Sequence, residues 1–283
     1  MAHIGILKVF DKYGIKISSL AGSSAGATIG AAYALGIEPE NILKWGETLN
    51  KKKFLRFSNF HLFSESLIKS KDMANSIKVL LGDKTFKDTK IPFVAIAVDL
   101  ELGEEVVIKE GKLWEAARAS SAIPGILSPY MLNGQYLVDG GLLNSVPVNH
   151  LRAQKNIDIV IGVELGNLTS RQYVSGMIWE KYYHKPERFK LYPGFLTRLK
   201  VSATLMFHIL LRSLDIVRDE AQEARYKIAK PDFIIKPKLE GISLLEFNRY
   251  KEAYAEGQRA AEEAMPKIFE LIEQKKNELN KET

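Results

Sequence analysis

Apolar positions along this chain fall into two rhythms. Short runs rich in β-branched residues, Ile91 to Leu100 (IPFVAIAVDL), Ile157 to Leu165 (IDIVIGVEL) and Asp232 to Ile235, read as buried strands. Longer stretches with helical spacing lie over Pro39 to Leu49, Ser66 to Leu81, Leu113 to Ala119, Ser202 to Lys227 and Leu244 to Glu273. Pro39 suits a first helical turn and Gly82 a helix stop. The final helix is predicted to fray over its charged end, Gln274 to Thr283. Near the start, Ile15, Ile17 and Leu20 give a short strand-like segment. An Ala-rich helix follows from Ala27 to Leu35, with Gly36 as its stop.

Two hairpins interrupt this rhythm. One turns at Leu102-Gly103-Glu104, between Ile91 to Leu100 and Glu105 to Lys109. The other pairs Tyr130 to Leu132 with Gln135 to Val138 across Asn133-Gly134, a dipeptide suited to a type I′ turn. Continuous apolar strands alternating with helices predict an α/β fold, with a mainly parallel central sheet covered by helices on both faces. No repeat, low-complexity block or shift in composition marks a linker. One domain is therefore expected over residues 1–283, with a helical C-terminal segment at about 243–283.

Composition narrows the chemistry. The 283 residues contain no cysteine, which excludes disulfides, thiolate metal sites and a cysteine nucleophile. The first residues lack the succession of a secretory signal. No apolar run reaches the roughly 18 residues of a membrane span; the longest, Val201 to Leu211, contains His208. A cytoplasmic location is the expectation. The net charge of +6 favours anionic partners, nucleic acid or phospholipid headgroups among them. No nucleic-acid-binding signature accompanies it, so no nucleic-acid partner is expected.

The chemistry-bearing motif is Gly22-Ser23-Ser24-Ala25-Gly26, a Gly-x-Ser-x-Gly run between the strand-like segment and the Ala-rich helix. In a nucleophile elbow the serine occupies a sharp strand-to-helix turn, and its hydroxyl projects from the sheet. Glycine on each side is expected because a Cβ there would collide with the neighbouring strand or helix. A plain tight turn or phosphate loop is the competing reading, but no Lys-Ser/Thr pair follows Gly26, as a Walker loop requires. Ser24 is the candidate nucleophile.

A serine needs a base within hydrogen-bond reach. His150, His184 and His208 follow the motif, and none lies in a Gly-rich loop after a strand. His150 reads as a structural residue at a helix start, His184 as a surface residue and His208 as part of a helix. Asp139 is the better partner, because Tyr136-Leu137-Val138-Asp139-Gly140-Gly141 puts a carboxylate at a strand end before two glycines. A simple Asx turn is the competing reading there, and it applies more strongly to Asp99, which no glycine pair follows.

Taken in order, these motifs resemble the patatin-like phospholipases. Gly22 to Gly26 is similar to that family's nucleophile motif and Asp139-Gly140-Gly141 to its acid motif. Ala119-Ser120-Ser121-Ala122-Ile123-Pro124-Gly125 is similar to its Ala-Ser-x-Ala-x-Pro stretch. Asn144 and Pro147-Val148 fit the continuation, His3 to Leu7 the first helix and Asp232 to Pro237 a late strand. The resemblance implies a Ser-Asp dyad, with Ser24 as nucleophile and Asp139 as general base, acting on phospholipids, lysophospholipids or acyl esters without metal or organic cofactor. It also implies a first strand and a Gly-rich oxyanion loop ahead of the first helix, whereas the sequence begins at Met1-Ala2-His3, after that place. The amide of Ala25 is then the expected partial oxyanion donor. A second expectation is a weakly active or inactive lipid-binding relative. Two basic, aromatic stretches, Lys51 to Phe57 and Trp179 to Lys200, are candidates for peripheral contact with an anionic membrane.

Overall fold

A computed structural model describes residues 1–51, 70–166, 195–239, 242 and 247–282. Its elements run α1 (Ala2–Lys12), β1 (Leu20–Ser23), α2 (Ala25–Ala34), α3 (Pro39–Lys51), α4 (Ser70–Leu81), β2 (Phe93–Asp99), β3 (Glu105–Ile108) and α5 (Leu113–Ser120). These are followed by β4 (Tyr130–Leu132), β5 (Gln135–Asp139), α6 (Val148–Arg152), β6 (Ile161–Val163), α7 (Phe195–Ile228), β7 (Phe233–Ile235) and α8 (Tyr250–Glu282). A central sheet with helices packed around it makes this a mixed α/β fold.

Strand direction departs from expectation. In the main sheet β1 and β2 are parallel, but β2 with β3, β2 with β5 and β4 with β5 are all antiparallel. A second, two-stranded parallel sheet joins β6 and β7. The apolar run of β2 reports burial on both faces, which any central strand has whatever the direction of its neighbours. Both hairpins form where the sequence places them, and Asn133 and Gly134 adopt φ of 51° and 83°, the two positive values a type I′ turn needs.

Register on β2 sets the geometry of the site. β1 pairs with Phe93 to Ile96 and β5 with Ala97 to Asp99, while β3 pairs with Ala95 to Val98 and overlaps both. β3 therefore takes one edge of β2, and β1 and β5 share the other, end to end. They run in opposite senses, so their C-terminal ends meet: Ser23 is paired with Ile96 and Asp139 with the next residue, Ala97.

Two apolar clusters hold this frame. The larger packs α2, α4 and α5 against one face of β2, with Ile29, Ile77, Leu113 and Phe93 buried in it. The other joins α1 and α8 through Ile6, Phe10, Ala261, Met265 and Ile268. Those two helices cross at glycines: a Cβ on Gly5 would stand 2.2 Å from the carbonyl oxygen of Tyr254, and one on Gly257 2.1 Å from that of Ala2.

Three further boundaries moved. Ile15 and Ile17 precede the strand instead of belonging to it, and the Ile157 to Leu165 run pairs only over Ile161–Val163, the length that β7 can match. The charged tail does not fray within residues 274–282, which continue α8. Lys275–Glu278 and Lys276–Glu273 pairs, three residues apart, support that last stretch of good helix formers.

Candidate active site

The elbow is built from backbone strain and two serines. Ser24 caps α2 with φ 55° and ψ −122°, a positive φ that non-glycine residues rarely adopt. Its conformation is held from α5 and the turn after it. The Ser24 N–H donates to Ser120 Oγ at 2.9 Å, Ser120 Oγ donates to the Ile96 carbonyl at 2.5 Å, and Ser121 Oγ donates to the Ser24 carbonyl at 3.1 Å. The hydroxyls of Ser120 and Ser121 reach a residue almost a hundred positions away, which local sequence pattern cannot show.

The flanking glycines are not equivalent. A Cβ on Gly22 would stand 2.5 Å from the carbonyl oxygen of Gly26, against rigid backbone. A Cβ on Gly26 would meet only His3 Nε2, at 3.7 Å, so the collision expected there is absent. Ser23, the last residue of β1, is buried with its side chain turned towards Gly140. The N–H of Ala25 belongs to the first helical residue, has no intrahelical acceptor and carries the positive end of the α2 dipole.

Ser24 Oγ donates a hydrogen bond to Asp139 Oδ2 at 2.6 Å. The other oxygen, Oδ1, accepts from the Gly141 N–H at 2.8 Å. Asp139 is buried, and burial pushes its carboxyl above the usual aspartate range. The bond from Ser24, the charge of Arg218 and the Gly141 amide pull the other way. Gly140 is needed for close approach, since a Cβ there would lie 2.1 Å from the Ile96 carbonyl oxygen.

Asp99 turns back onto its own loop, accepting from the amides of Glu101 and Leu102 and from Gln135 Nε2. His150 is paired with Glu105, which also accepts from Asn144 Nδ2 and Arg225. His61 and His184 lie outside the described residues, and nothing is described of the His208 side chain. Residues 52–57 and 179–194 of the two basic, aromatic stretches lie outside them as well. His3 stands beside the elbow as a neutral imidazole, its pKa pushed down by burial to about 3.

A cavity of about 1120 Å³ opens at Ser24. Its lining includes the apolar Leu49, Met73, Ile77, Ile123, Ile126 and Leu127 as well as residues of β1 and β6. Among the described residues no cluster of His, Asp or Glu is arranged to hold a metal ion, and no helix is long and apolar enough to cross a membrane.

A family profile described as patatin-like phospholipase matches residues 1–152, which include the elbow, the Ser120–Ser121 pair and the acid turn. The chain belongs to the patatin-like phospholipase family. It is 32% identical over 164 residues to an uncharacterized NTE family protein of Mycobacterium tuberculosis, covering 58% of this chain and 45% of that protein. It is 22% identical over 293 residues to the lysophospholipase NTE1 of Candida albicans, covering 98% of this chain and 20% of the other. The chain thus spans less than half the length of these curated relatives. Among solved structures it is similar to VipD from Legionella pneumophila, with a TM-score of 0.51 at 12% identity, covering 93% of this chain and 64% of that one. That likeness shows a shared fold.

Proposed function

We propose that this chain is a serine acyl hydrolase acting on lipid esters, with Ser24 and Asp139 as its catalytic dyad. The observation that carries the reading is the 2.6 Å hydrogen bond from a strained, elbow-borne serine to a buried aspartate. Asp139 takes the Ser24 proton as Oγ attacks the ester carbonyl, and the carbonyl oxygen becomes an oxyanion beside the Ala25 amide. Asp139 then protonates the leaving alcohol, which leaves an acyl-enzyme. Water, deprotonated by the same carboxylate, attacks that ester and releases the fatty acid and free Ser24. The apolar residues of the cavity lining suit the acyl chain. Phospholipid, lysophospholipid and simple acyl esters are the substrate class that family membership supports.

The test is hydrolysis of short-chain acyl esters and lysophospholipid by the wild type, Ser24→Ala, Asp139→Asn and His150→Ala. Loss in the first two variants and retention in the third are expected. Full activity in Ser24→Ala would refute the assignment, and loss in Ser24→Ala and His150→Ala with activity kept in Asp139→Asn would replace the dyad with a His-based triad. A weakly active or inactive lipid-binding protein is the second reading. It is favoured by the elbow's single evident oxyanion donor among the described residues, since one donor is worth about 10²–10³ in turnover. Specific lipid binding without covalent capture of Ser24 would select it. Contact with an anionic membrane through the basic, aromatic stretches remains part of this proposal, tested by vesicle binding after neutralising Lys185, Arg188, Lys190, Arg198 and Lys200.

A further inference from the structure

Over its described side chains, from Ile209 onwards, α7 turns a polar row inward. Ile209, Leu210, Ile216 and Val217 are exposed, while Asp215, Arg218, Gln222 and Arg225 share the opposite face and turn inward. Arg218, Gln222 and Arg225 each hold the backbone that follows Asp139. Arg218 Nε donates to the Gly141 carbonyl at 3.0 Å, and its Nη2 to Ser145 Oγ at 3.3 Å. Gln222 accepts from the Val146 N–H at 2.9 Å and donates to the Val146 carbonyl at 3.3 Å. Arg225 Nε donates to the Leu143 carbonyl at 2.6 Å.

Arg218 is the member of this row nearest the dyad. A methyl group on Gly141 would stand 2.9 Å from Asp139 Oδ1 and 3.5 Å from Arg218 Nε, so carboxylate and guanidinium flank one backbone position. Asp215, fully buried one turn before, pairs with Arg218 Nη1 at 3.3 Å and fixes the fork. A planar guanidinium can hold the carbonyl, the hydroxyl and this carboxylate at once, which a lysine ammonium cannot do with the same geometry. We propose that Arg218 is a positioning residue: it pins the Gly141 end of the acid turn so that Asp139 faces Ser24, with its guanidinium set beside the same backbone position as the carboxylate. The catalytic part of this statement rests on the dyad reading above; the placement of the guanidinium beside Asp139 does not.

The groups facing Asp139 among the described residues are Ser24 from the elbow, the Gly141 amide from its own turn and Arg218 from α7. Removing the Arg218 charge therefore leaves burial less opposed, and the proton should bind Asp139 more tightly. The experiment uses the full chain, with Arg218→Gln and Arg218→Lys compared to wild type. Asp139 is titrated by carbon-detected NMR, its signal assigned through Asp139→Asn, and the acid limb of kcat/KM is followed on a short-chain ester. Arg218→Gln should move the titration and the limb together to higher pH, and lower kcat at pH 7 about tenfold with KM little changed. Arg218→Lys should restore the titration but only part of kcat.

An Asp139 titration unmoved in a folded Arg218→Gln would overturn the proposal. Where that variant does not fold, a folded Arg218→Lys with wild-type kcat would do so. Failure of the hydrolase reading looks different: hydrolysis would be unchanged in Ser24→Ala while the titration still moved in Arg218→Gln.

Discussion

Gly140→Ala probes the meeting of β1 and β5 without replacing Ser24 or Asp139. An ideal Cβ at Gly140 would stand 2.1 Å from the carbonyl oxygen of Ile96, 2.6 Å from its carbon and 2.7 Å from Ser23 Oγ. The first two atoms are backbone of the central strand and cannot give. Ordinary contact begins near 3.4 Å, so the acid turn must retreat by about 1 Å, and an error of that size in a reacting group can cost about 10² in rate. The Ser24–Asp139 bond of 2.6 Å would stretch past hydrogen-bond length. The matched control is Gly134→Ala at the tip of the β4–β5 hairpin, where φ is +83° but no atom lies within 4 Å of the added methyl. It should cost about 1–2 kcal/mol of stability from backbone strain alone and leave the Ser24–Asp139 hydrogen bond in place. The assay is kcat/KM on a short-chain acyl ester, paired with a denaturation midpoint for each variant. We expect a loss of about 10² or more for Gly140→Ala and less than threefold for Gly134→Ala. Activity within threefold of wild type in Gly140→Ala, or an equal loss in both, would refute the reasoning.

Three further outcomes follow from the same geometry. Burial raises the Asp139 carboxyl, so the proposed base is lost on acidification through a point above the ~4 of a free aspartate. kcat/KM should fall on the acid side of that point, and a single acid limb that disappears in His150→Ala would contradict it. The raised carboxyl also sets a stability sign: ionising Asp139 costs folding free energy at high pH, and the cost vanishes below the unfolded value near ~4. Asp139→Asn should therefore melt higher than wild type at pH 8, by about 2–4 °C for each kcal/mol relieved, with the gap closing towards pH 4; a lower melting point at pH 8 would count against it. Ser120→Ala leaves the Ser24 N–H and the Ile96 carbonyl without their partner. About 1–3 kcal/mol of stability should be lost in denaturant titrations, with about a tenfold fall in kcat/KM; wild-type values in both would exclude a supporting role for this serine.

What could be read from the sequence was what short-range pattern encodes. The elbow needs five consecutive residues and a strand-helix switch, and both lie within a dozen positions of Ser24. The hairpins announced themselves through Asn133-Gly134 and Gly103, which supply the positive φ of their turns. Strand direction was not legible, because β2 is equally apolar whether its neighbours arrive parallel or antiparallel. Nor was the shared edge that brings β1 and β5 together, since pairing between Ser23, Ile96, Ala97 and Asp139 joins three distant parts of the chain. The same limit hid the grip of α7. Arg218, Gln222 and Arg225 fall within the expected Ser202 to Lys227 helix, but nothing local to it points to the carbonyls of Gly141, Leu143 and Val146 that they hold.

Mass spectrometry after exposure to a fluorophosphonate tests the central claim most directly, because the reagent requires a serine oxygen made nucleophilic by its neighbour. One phosphonyl adduct on Ser24 is predicted in the wild type, with none in Ser24→Ala and slow, incomplete labelling in Asp139→Asn. Labelling of Ser24 that proceeds at the wild-type rate in Asp139→Asn would contradict the account.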